Sequence, residues 1–209
     1  DPVISHNVIA DWKGSEPDAP IILLGAHLDS WDMGTGAHDD GAGCAHIMDA
    51  FHILRSLDYE PKNNLRLVFF MNEENGLKGG LAYAKYAEEQ NVQHMAAIES
   101  DAGGFVPRGF SCDGNESILT KGYRQLNEWS DLMSPYGIQF TYGGSGADIS
   151  PLKPQGPFLI GLRPDSQRYF DYHHTDQDVF SAVHPRELQL GSAAMAALTY
   201  LLDQYGISE

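Results

Sequence analysis

Acidic residues, in three cases together with histidine, recur in five short segments of this 209-residue chain, most of them beside glycine. The segments are residues 25–31 (GAHLDSW), 36–43 (GAHDDGAG), 70–76 (FMNEENG), 99–104 (ESDAGG) and 169–176 (YFDYHHTD). Imidazole and carboxylate groups bind catalytic zinc and also serve as general acids and bases. Each segment alone has an ordinary structural explanation. A shared pocket would give all five a chemical role.

The first two segments illustrate both the structural explanation and the chemical one. His27 precedes Asp29 by two residues, so its second ring N–H can be donated to that carboxylate, which orients the other nitrogen toward a metal. A solvated histidine near an aspartate is the commoner occurrence. Asp40 fits a helix N-cap, because Asp is favoured there and complements the helix dipole. Asp39 remains free to point into a crevice.

The other three segments place acids or histidines at the ends of predicted elements. Glu73 and Glu74 follow an apolar strand, where one could bind a metal and the other act as a general base; the alternative is a solvated loop pair. Asp101 is another acid at a strand end, followed by glycines. His173 and His174 lie in an aromatic segment, and surface histidines are the alternative for them.

The hydrophobic pattern alternates between strand and helix. It predicts strands over residues 3–12, 21–26, 65–71, 95–99, 138–142 and 157–162, and helices over 41–57, 77–90, 123–134 and 184–205. This order indicates one α/β domain over residues 1–209, with helices flanking a sheet in three layers. Residues 102–115 have no clear pattern, and 143–154 are predicted to be a loop.

His27, Asp29, Glu73, Glu74 and Asp101 all come directly after predicted strands. In open α/β sheets, ligands bind in the crevice beyond the carboxyl ends of the strands, so these groups are expected to converge. Two like charges about 4 Å apart cost on the order of 4 kcal/mol at an effective dielectric near 20. Divalent cations would remove that repulsion, and ligand sets mixing imidazole with carboxylate suit zinc.

Composition restricts the partners. Lys and Arg number 13 against 29 Asp and Glu, giving a formal net charge of −16. Such a surface repels phosphate backbones and anionic lipid, which argues against nucleic-acid or membrane binding. No apolar run is long enough to span a bilayer. Two cysteines do not define a disulfide framework, and Cys44 is expected to be a buried free thiol.

Taken in order, the motifs resemble the M28 family of co-catalytic zinc peptidases: His27-x-Asp29, Asp39-Asp40-Gly41, Glu73-Glu74, Asp101 and His174-Thr175. The local sequences of these motifs are most similar to the plasma glutamate carboxypeptidase-like branch of the family. They read GAHLDSWD, HDDGAG, NEENG, ESDAG and YHHTD. The resemblance covers nearly the whole chain. It implies the zinc exopeptidase fold (phosphorylase/hydrolase-like), with a mixed, mostly parallel sheet, and a cis peptide bond between Asp39 and Asp40.

The resemblance also implies a role for each site residue. One zinc would be held by His27 and Asp101 and the other by Glu74 and His174, with Asp39 bridging the two. The catalytic residues would be Glu73, as general base, and Asp29, as partner of His27. The candidate substrate-binding residues are Asp148, Arg163, Tyr172 and His173.

The implied activity is hydrolysis of a terminal peptide bond by a glutamate-activated water that bridges two Zn²⁺ ions per chain. Aminopeptidase or dipeptidase action on a peptide or dipeptide is preferred over carboxypeptidase action, because the site is rich in acids. The alternatives are a glutaminyl-cyclase-like acyltransferase with a single zinc and a non-catalytic binding domain. The resemblance further implies a secreted or periplasmic fragment of a longer precursor, and it leaves a homodimer open.

Overall fold

The computed structural model describes residues 3–207. The strands are β1 (Val8–Trp12), β2 (Ile21–His27), β3 (Asn64–Phe70), β4 (His94–Glu99), β5 (Pro107–Asp113), β6 (Gln139–Tyr142) and β7 (Phe158–Pro164). The helices are α1 (Ala42–Ser56), α2 (Lys78–Glu89), α3 (Glu116–Glu128), α4 (Ser130–Met133), α5 (Tyr169–Tyr172) and α6 (Pro185–Tyr205). Short turns of helix at Ser134–Tyr136, Ser150–Gln155 and Phe180–Ala182, and an irregular turn at Ala37–Gly41, complete the description.

The seven strands form one sheet in the order β1-β3-β2-β4-β7-β5-β6. Pairing is parallel for β2 with β3, β2 with β4, β4 with β7 and β5 with β6, and antiparallel for β1 with β3 and β5 with β7. The expected mixed, mostly parallel sheet is therefore confirmed. Strand β2 reads IILLGAH and is buried along its whole length, as expected for a central strand covered on both faces.

Helices cover both faces of the sheet. On one face α1 and α6 pack against the sheet, with Ile47 and Leu198 fully buried in a large cluster that also contains Phe158. On the other face Tyr83 of α2 and Leu152 of the turn Ser150–Gln155 pack in a second cluster. The three-layer α/β architecture predicted from the alternating pattern is confirmed.

The chain reverses direction across the sheet at β2. Strand β3 lies on one side of β2 and β4 on the other, while α1 and α2, which connect these strands, lie on opposite faces. A crevice opens at the carboxyl ends of the strands at such a switch point. Helix α1 approaches this edge closely, because a Cβ at Gly43 would stand only 1.9 Å from the Ser100 carbonyl oxygen.

Several element boundaries differ from the predictions. Strand β1 begins at Val8 rather than residue 3. The preceding segment is instead fixed by Asn7, whose side chain accepts from Met71 N and donates to the Gly79 carbonyl. Strand β5 lies in a region where no element was predicted; its sequence, PRGFSCD, lacks regular alternation, and pairing with β6 and β7 orders it.

Helix α3 begins at Glu116 rather than residue 123, because Asn115 caps it by accepting from Ile118 N at 3.1 Å. The predicted loop over 143–154 ends in the helical turn Ser150–Gln155. Cys44 and Cys112 are both free and buried, as expected for Cys44. Across residues 3–207, no helix combines the length and apolarity needed to cross a membrane.

Candidate metal centre

The acids and histidines singled out in the sequence meet at the carboxyl edge of the sheet. His27 is the last residue of β2, Glu73 and Glu74 follow β3, and Asp101 follows β4. Asp39 lies in the irregular turn before α1. His173 and His174 follow α5 directly. The ends of the parallel strands, the turn before α1 and the segment after α5 thus meet at one place. His27 and His174, which are far apart in sequence, both contact Asp39 there.

His27 faces oxygen on both sides of its ring. Its Nδ1 lies 2.8 Å from the Asp29 main-chain carbonyl, and its Nε2 lies 3.1 Å from Asp39 Oδ1 and 3.3 Å from Asp101 Oδ1. A neutral imidazole has one N–H, which the carbonyl at Nδ1 requires. The Nε2 lone pair then points at two carboxylates, an arrangement that requires a proton or a metal ion.

A second arrangement of the same kind lies on the other side of Asp39. His174 Nε2 lies 3.2 Å from Asp39 Oδ2 and 2.9 Å from Glu74 Oε2. The indole N–H of Trp31 donates to this Glu74 oxygen at 2.8 Å, and its ring lies 5.2 Å from the His174 ring. His173 is stacked on His174 and is more distant, 3.5 Å from Asp39 Oδ2.

Asp39 is the shared member of the two arrangements. Its Oδ1 faces His27 and its Oδ2 faces His174, so the two carboxylate oxygens point to opposite sides. The carboxylate is buried, at 5% exposure for the residue. The peptide bond between Asp39 and Asp40 is cis, which confirms the expectation drawn from the family resemblance.

Burial and charge perturb the titration of these groups. Burial lowers the pKa of His27, but hydrogen bonds with Asp101 and Asp39 outweigh it and raise that pKa far above its usual value. Burial raises the pKa of Glu73, and the charge of Asp101 adds to this increase. Burial and the charge of Asp39 likewise raise the pKa of Glu74. These carboxylates therefore repel one another, and only cations relieve that repulsion without protonation.

The donor atoms fit metal ions by two observations. Asp39 Oδ2 and Glu74 Oε1 are buried atoms that accept no well-aligned hydrogen bond in the described part of the chain, although His174 Nε2 lies 3.2 Å from Asp39 Oδ2. Two ligands at zinc bonding distance on a tetrahedral ion stand about 3.3 Å apart. The His27–Asp39, His27–Asp101 and His174–Asp39 atom pairs are separated by 3.1, 3.3 and 3.2 Å. Groups of three donors also lie close enough for a shared ion: Asp39, His173 and His174; His27, Asp40 and Asp101; and His27, Asp39 and Glu74.

The contact between His27 and Asp29 differs from the expected one. The imidazole hydrogen-bonds to the Asp29 main-chain oxygen, while the carboxylate stands 3.9 Å away. That carboxylate instead accepts the backbone N–H groups of Glu73 at 3.0 Å and Glu74 at 3.3 Å. Its position is set by these two N–H groups, which would otherwise lack an acceptor at the start of the loop. Asp29 therefore holds the loop that carries both glutamates.

Asp40 has a structural role at the start of α1, although the N-cap position itself is Gly41 rather than Asp40. Its Oδ1 accepts from Gly43 N at 3.0 Å, as an N-cap side chain does, and its Oδ2 accepts from His27 N at 3.1 Å. It is fully buried, and burial, with the charge of Asp101 adding to it, raises its pKa well above the usual value. Asp40 thus joins the start of α1 to the end of β2, through the backbone N–H of His27.

The candidate substrate-binding residues lie in different surroundings. Asp148 is 1% exposed and neither carboxylate oxygen has a hydrogen-bond partner among residues 3–207; burial raises its pKa to about 8. Arg163 donates to Ser111 Oγ at 2.6 Å and to the Gly144 carbonyl, which holds its guanidinium against the loop after β6. The ring of Tyr172 packs 5.0 Å from that of His38 rather than on the metal-binding atoms.

Two buried residues beside the site were not singled out in the sequence. His38 is fully buried, stacks on Phe105 at 4.3 Å, and accepts from Gly104 N through Nδ1 at 3.1 Å. Asp178 accepts from the backbone N–H groups of His38 at 2.6 Å and Asp39 at 3.1 Å. The sequence offered one weak signal for Asp178, a further acid four residues after His174.

An α/β sheet with a crevice of imidazoles and carboxylates at its switch point is typical of a metal-dependent enzyme. Comparison with known proteins gives the family. The model for peptidase family M28 matches residues 7–199. Human carboxypeptidase Q is 32% identical over 199 residues, which cover 95% of this chain and 41% of that protein. The chain thus spans about two fifths of the length of this curated relative.

Solved structures agree. A peptidase M28 precursor from Shewanella amazonensis is 34% identical, with a TM-score of 0.87 over 97% of this chain and 46% of that one. A zinc aminopeptidase from Bacillus subtilis shares the fold, with a TM-score of 0.72 and 18% identity over 97% of this chain and 51% of that one. The chain belongs to peptidase family M28. The resemblance to this family and to its carboxypeptidase-related branch is confirmed.

Proposed function

We propose that this chain is the single catalytic domain of a longer, two-zinc exopeptidase. One observation carries the proposal: two imidazole Nε2 atoms, on His27 and His174, each face two carboxylates, and Asp39 is common to both sets. One ion alone would satisfy one imidazole and leave the other facing unneutralised carboxylates. Two ions on either side of Asp39 satisfy both. Family membership supports metal-dependent peptide hydrolysis as the reaction.

The ligand assignment follows the atom pairs. His27 and Asp101 would hold one zinc, and Glu74 and His174 the other, with Asp39 shared between them. Each ion would then be held by one imidazole and two carboxylates, which are ligand types found in catalytic zinc sites. Calcium is a poor fit for this set, because it prefers oxygen ligands and each position includes an imidazole.

The reaction divides between the metal ions and the chain. Zinc, when bound, lowers the pKa of water and polarises a carbonyl group. Glu73 takes the proton from the attacking water and passes it to the leaving amine as the peptide bond breaks. The Asp29 carboxylate holds the main chain of Glu73 and Glu74, so the base and a ligand keep a fixed relation. Glu73 is thus the catalytic residue and Asp29 a positioning residue.

Aminopeptidase or dipeptidase action is the preferred specificity. The crevice is lined by acids, and Arg163, the candidate for binding a carboxylate terminus, is already engaged by Ser111 and Gly144. A positively charged amino terminus is attracted to such a crevice. Dipeptides with a blocked amino or a blocked carboxyl terminus distinguish aminopeptidase from carboxypeptidase action: blocking the amino group abolishes hydrolysis under this proposal.

We further propose a secreted or periplasmic location, in keeping with the family branch.

The experiment that tests the proposal combines zinc analysis with replacement of the base. In Glu73→Gln the side chain keeps its size and loses its ability to accept a proton, so hydrolysis of a dipeptide panel falls by about 10²–10⁴-fold. Zinc content stays at two per chain, because Glu73 is not a ligand. Glu88→Gln, an exposed substitution on α2, is the matched control. Near-normal hydrolysis by Glu73→Gln, or cyclisation of amino-terminal glutamine with one zinc per chain, would overturn the proposal.

A further inference from the structure

Asp178 connects two loops of the candidate metal centre. It lies four residues after His174, and its carboxylate accepts from His38 N at 2.6 Å and from Asp39 N at 3.1 Å. Its own carbonyl accepts from Thr35 N at 2.8 Å. The loop that carries His174 is therefore bonded along the length of the turn that carries Asp39.

The environment makes these contacts strong and hard to replace. Asp178 is 3% exposed, so its carboxylate depends on the two N–H groups for solvation. Hydrogen bonds from backbone N–H groups to a buried carboxylate are roughly twice as strong as neutral ones. The loops are also pressed together, because a Cβ at Gly34 would stand 2.6 Å from the Thr175 carbonyl and 2.7 Å from that of Asp178. The Asp178 carboxylate thus fixes the main chain at Asp39 through its backbone N–H groups, and not through the Asp39 side chain.

The third loop of the site joins the same assembly. His38, whose N–H Asp178 accepts, receives a hydrogen bond from Gly104 N, three residues after Asp101. The turn at His38 and Asp39 is therefore held between the loop of His174 and the loop of Asp101. The side chain of Asp39 leaves this turn with one oxygen directed to each side of the site.

We infer that Asp178 is a positioning residue that keeps the Asp39 carboxylate in its bridging orientation, so that metal can bind at both positions. The inference rests on the two-zinc proposal and extends it to a residue that binds neither ion. Without Asp178, Asp39 would still be present as a ligand. It would no longer be held between the two positions, and one of them would bind metal more weakly.

The test substitutes Asp178→Asn, which keeps the size of the side chain but offers only one acceptor oxygen to two N–H groups. Zinc binding is measured by competition with a chromophoric chelator, and unfolding temperatures are recorded with and without zinc. We expect the affinity for the weaker-bound zinc to fall about tenfold or more. Asp176→Asn, exposed on the same loop, removes the same charge and is expected to leave zinc binding unchanged.

Stability separates positioning from a merely structural role. If Asp178 only stabilises the fold, Asp178→Asn lowers the unfolding temperature equally in the zinc-free and zinc-loaded protein. If it positions Asp39, the increase in unfolding temperature on adding zinc becomes smaller than in the wild type. Should Asp178→Asn fail to fold, Asp178→Glu retains both oxygens and the charge but displaces them, and the same loss of zinc affinity is required of it.

The outcomes distinguish this inference from the proposed function. Wild-type protein that binds fewer than two zinc ions contradicts the two-zinc proposal and this inference with it. Wild-type protein that binds two, together with an Asp178→Asn variant that binds two with unchanged affinity, overturns the inference alone.

Discussion

Asp29→Asn tests how the loop of Glu73 and Glu74 is held. The wild-type carboxylate gives one oxygen to each of the two backbone N–H groups, at 3.0 and 3.3 Å. Asparagine has one oxygen, and its amide N–H₂ must face the other N–H. The main-chain carbonyl that accepts from His27 is unaffected by the substitution.

The magnitude follows from the lost hydrogen bond. A hydrogen bond to a charged group contributes about 1.5–3 kcal/mol, and in a domain of this size about 1 kcal/mol changes the unfolding temperature by roughly 2–4 °C. The expected decrease in unfolding temperature is therefore about 3–12 °C. A displacement of the base by about 1 Å lowers turnover by on the order of 10²-fold. We expect kcat to fall accordingly, and zinc affinity at the His27 position to be retained.

The assay is steady-state hydrolysis of a dipeptide together with differential scanning calorimetry and zinc titration. Asp32→Asn is the control, because Asp32 is exposed and close in sequence. If Asp29→Asn behaved like Asp32→Asn in both kcat and unfolding temperature, the role assigned to Asp29 would be refuted. If it chiefly lowered zinc affinity at His27, the carboxylate would be acting on the imidazole after all.

Two further predictions concern Trp31, which contacts the site, and His46, whose ring lies 2.8 Å from Ser100 Oγ beside Asp101 in sequence. Trp31→Phe removes the N–H donated to Glu74 but keeps the aromatic contact with His174, so zinc affinity at that position should fall about 10–100-fold by chelator competition; an unchanged affinity would contradict this role. His46 is buried, and burial lowers its pKa to about 4. A depressed histidine pKa gives stability that is present above about pH 6.5 and is lost as pH falls toward 4, amounting to about 2 kcal/mol by pH 5. Urea unfolding between pH 7.5 and 5 should therefore show a weaker pH dependence in His46→Gln, and equal slopes would contradict the prediction.

The sequence predicted the layers of the fold and the approximate place of the site for a physical reason. Apolar runs such as that of β2 mark central strands, and the acids that follow them must lie at one edge of a parallel sheet. Strand β5 could not be predicted in this way, because its seven residues are ordered by pairing with β6 and β7 rather than by a periodic pattern of their own.

Contacts between loops could also not be predicted from local sequence patterns. The spacing of His27 and Asp29 indicated a contact between imidazole and carboxylate, but the main-chain oxygen took that place because the carboxylate is required by the N–H groups of Glu73 and Glu74. Asp178 reaches Asp39 across 139 residues of sequence. Such a contact depends on how the last loops fold over the sheet edge, which no motif encodes.

The most direct measurement is anomalous X-ray scattering at the zinc absorption edge from crystals of the zinc-loaded protein. We predict two peaks per chain, one between His27 and Asp101 and one between Glu74 and His174, with the Asp39 carboxylate between them. A single peak, or peaks away from Asp39, would contradict the two-zinc centre.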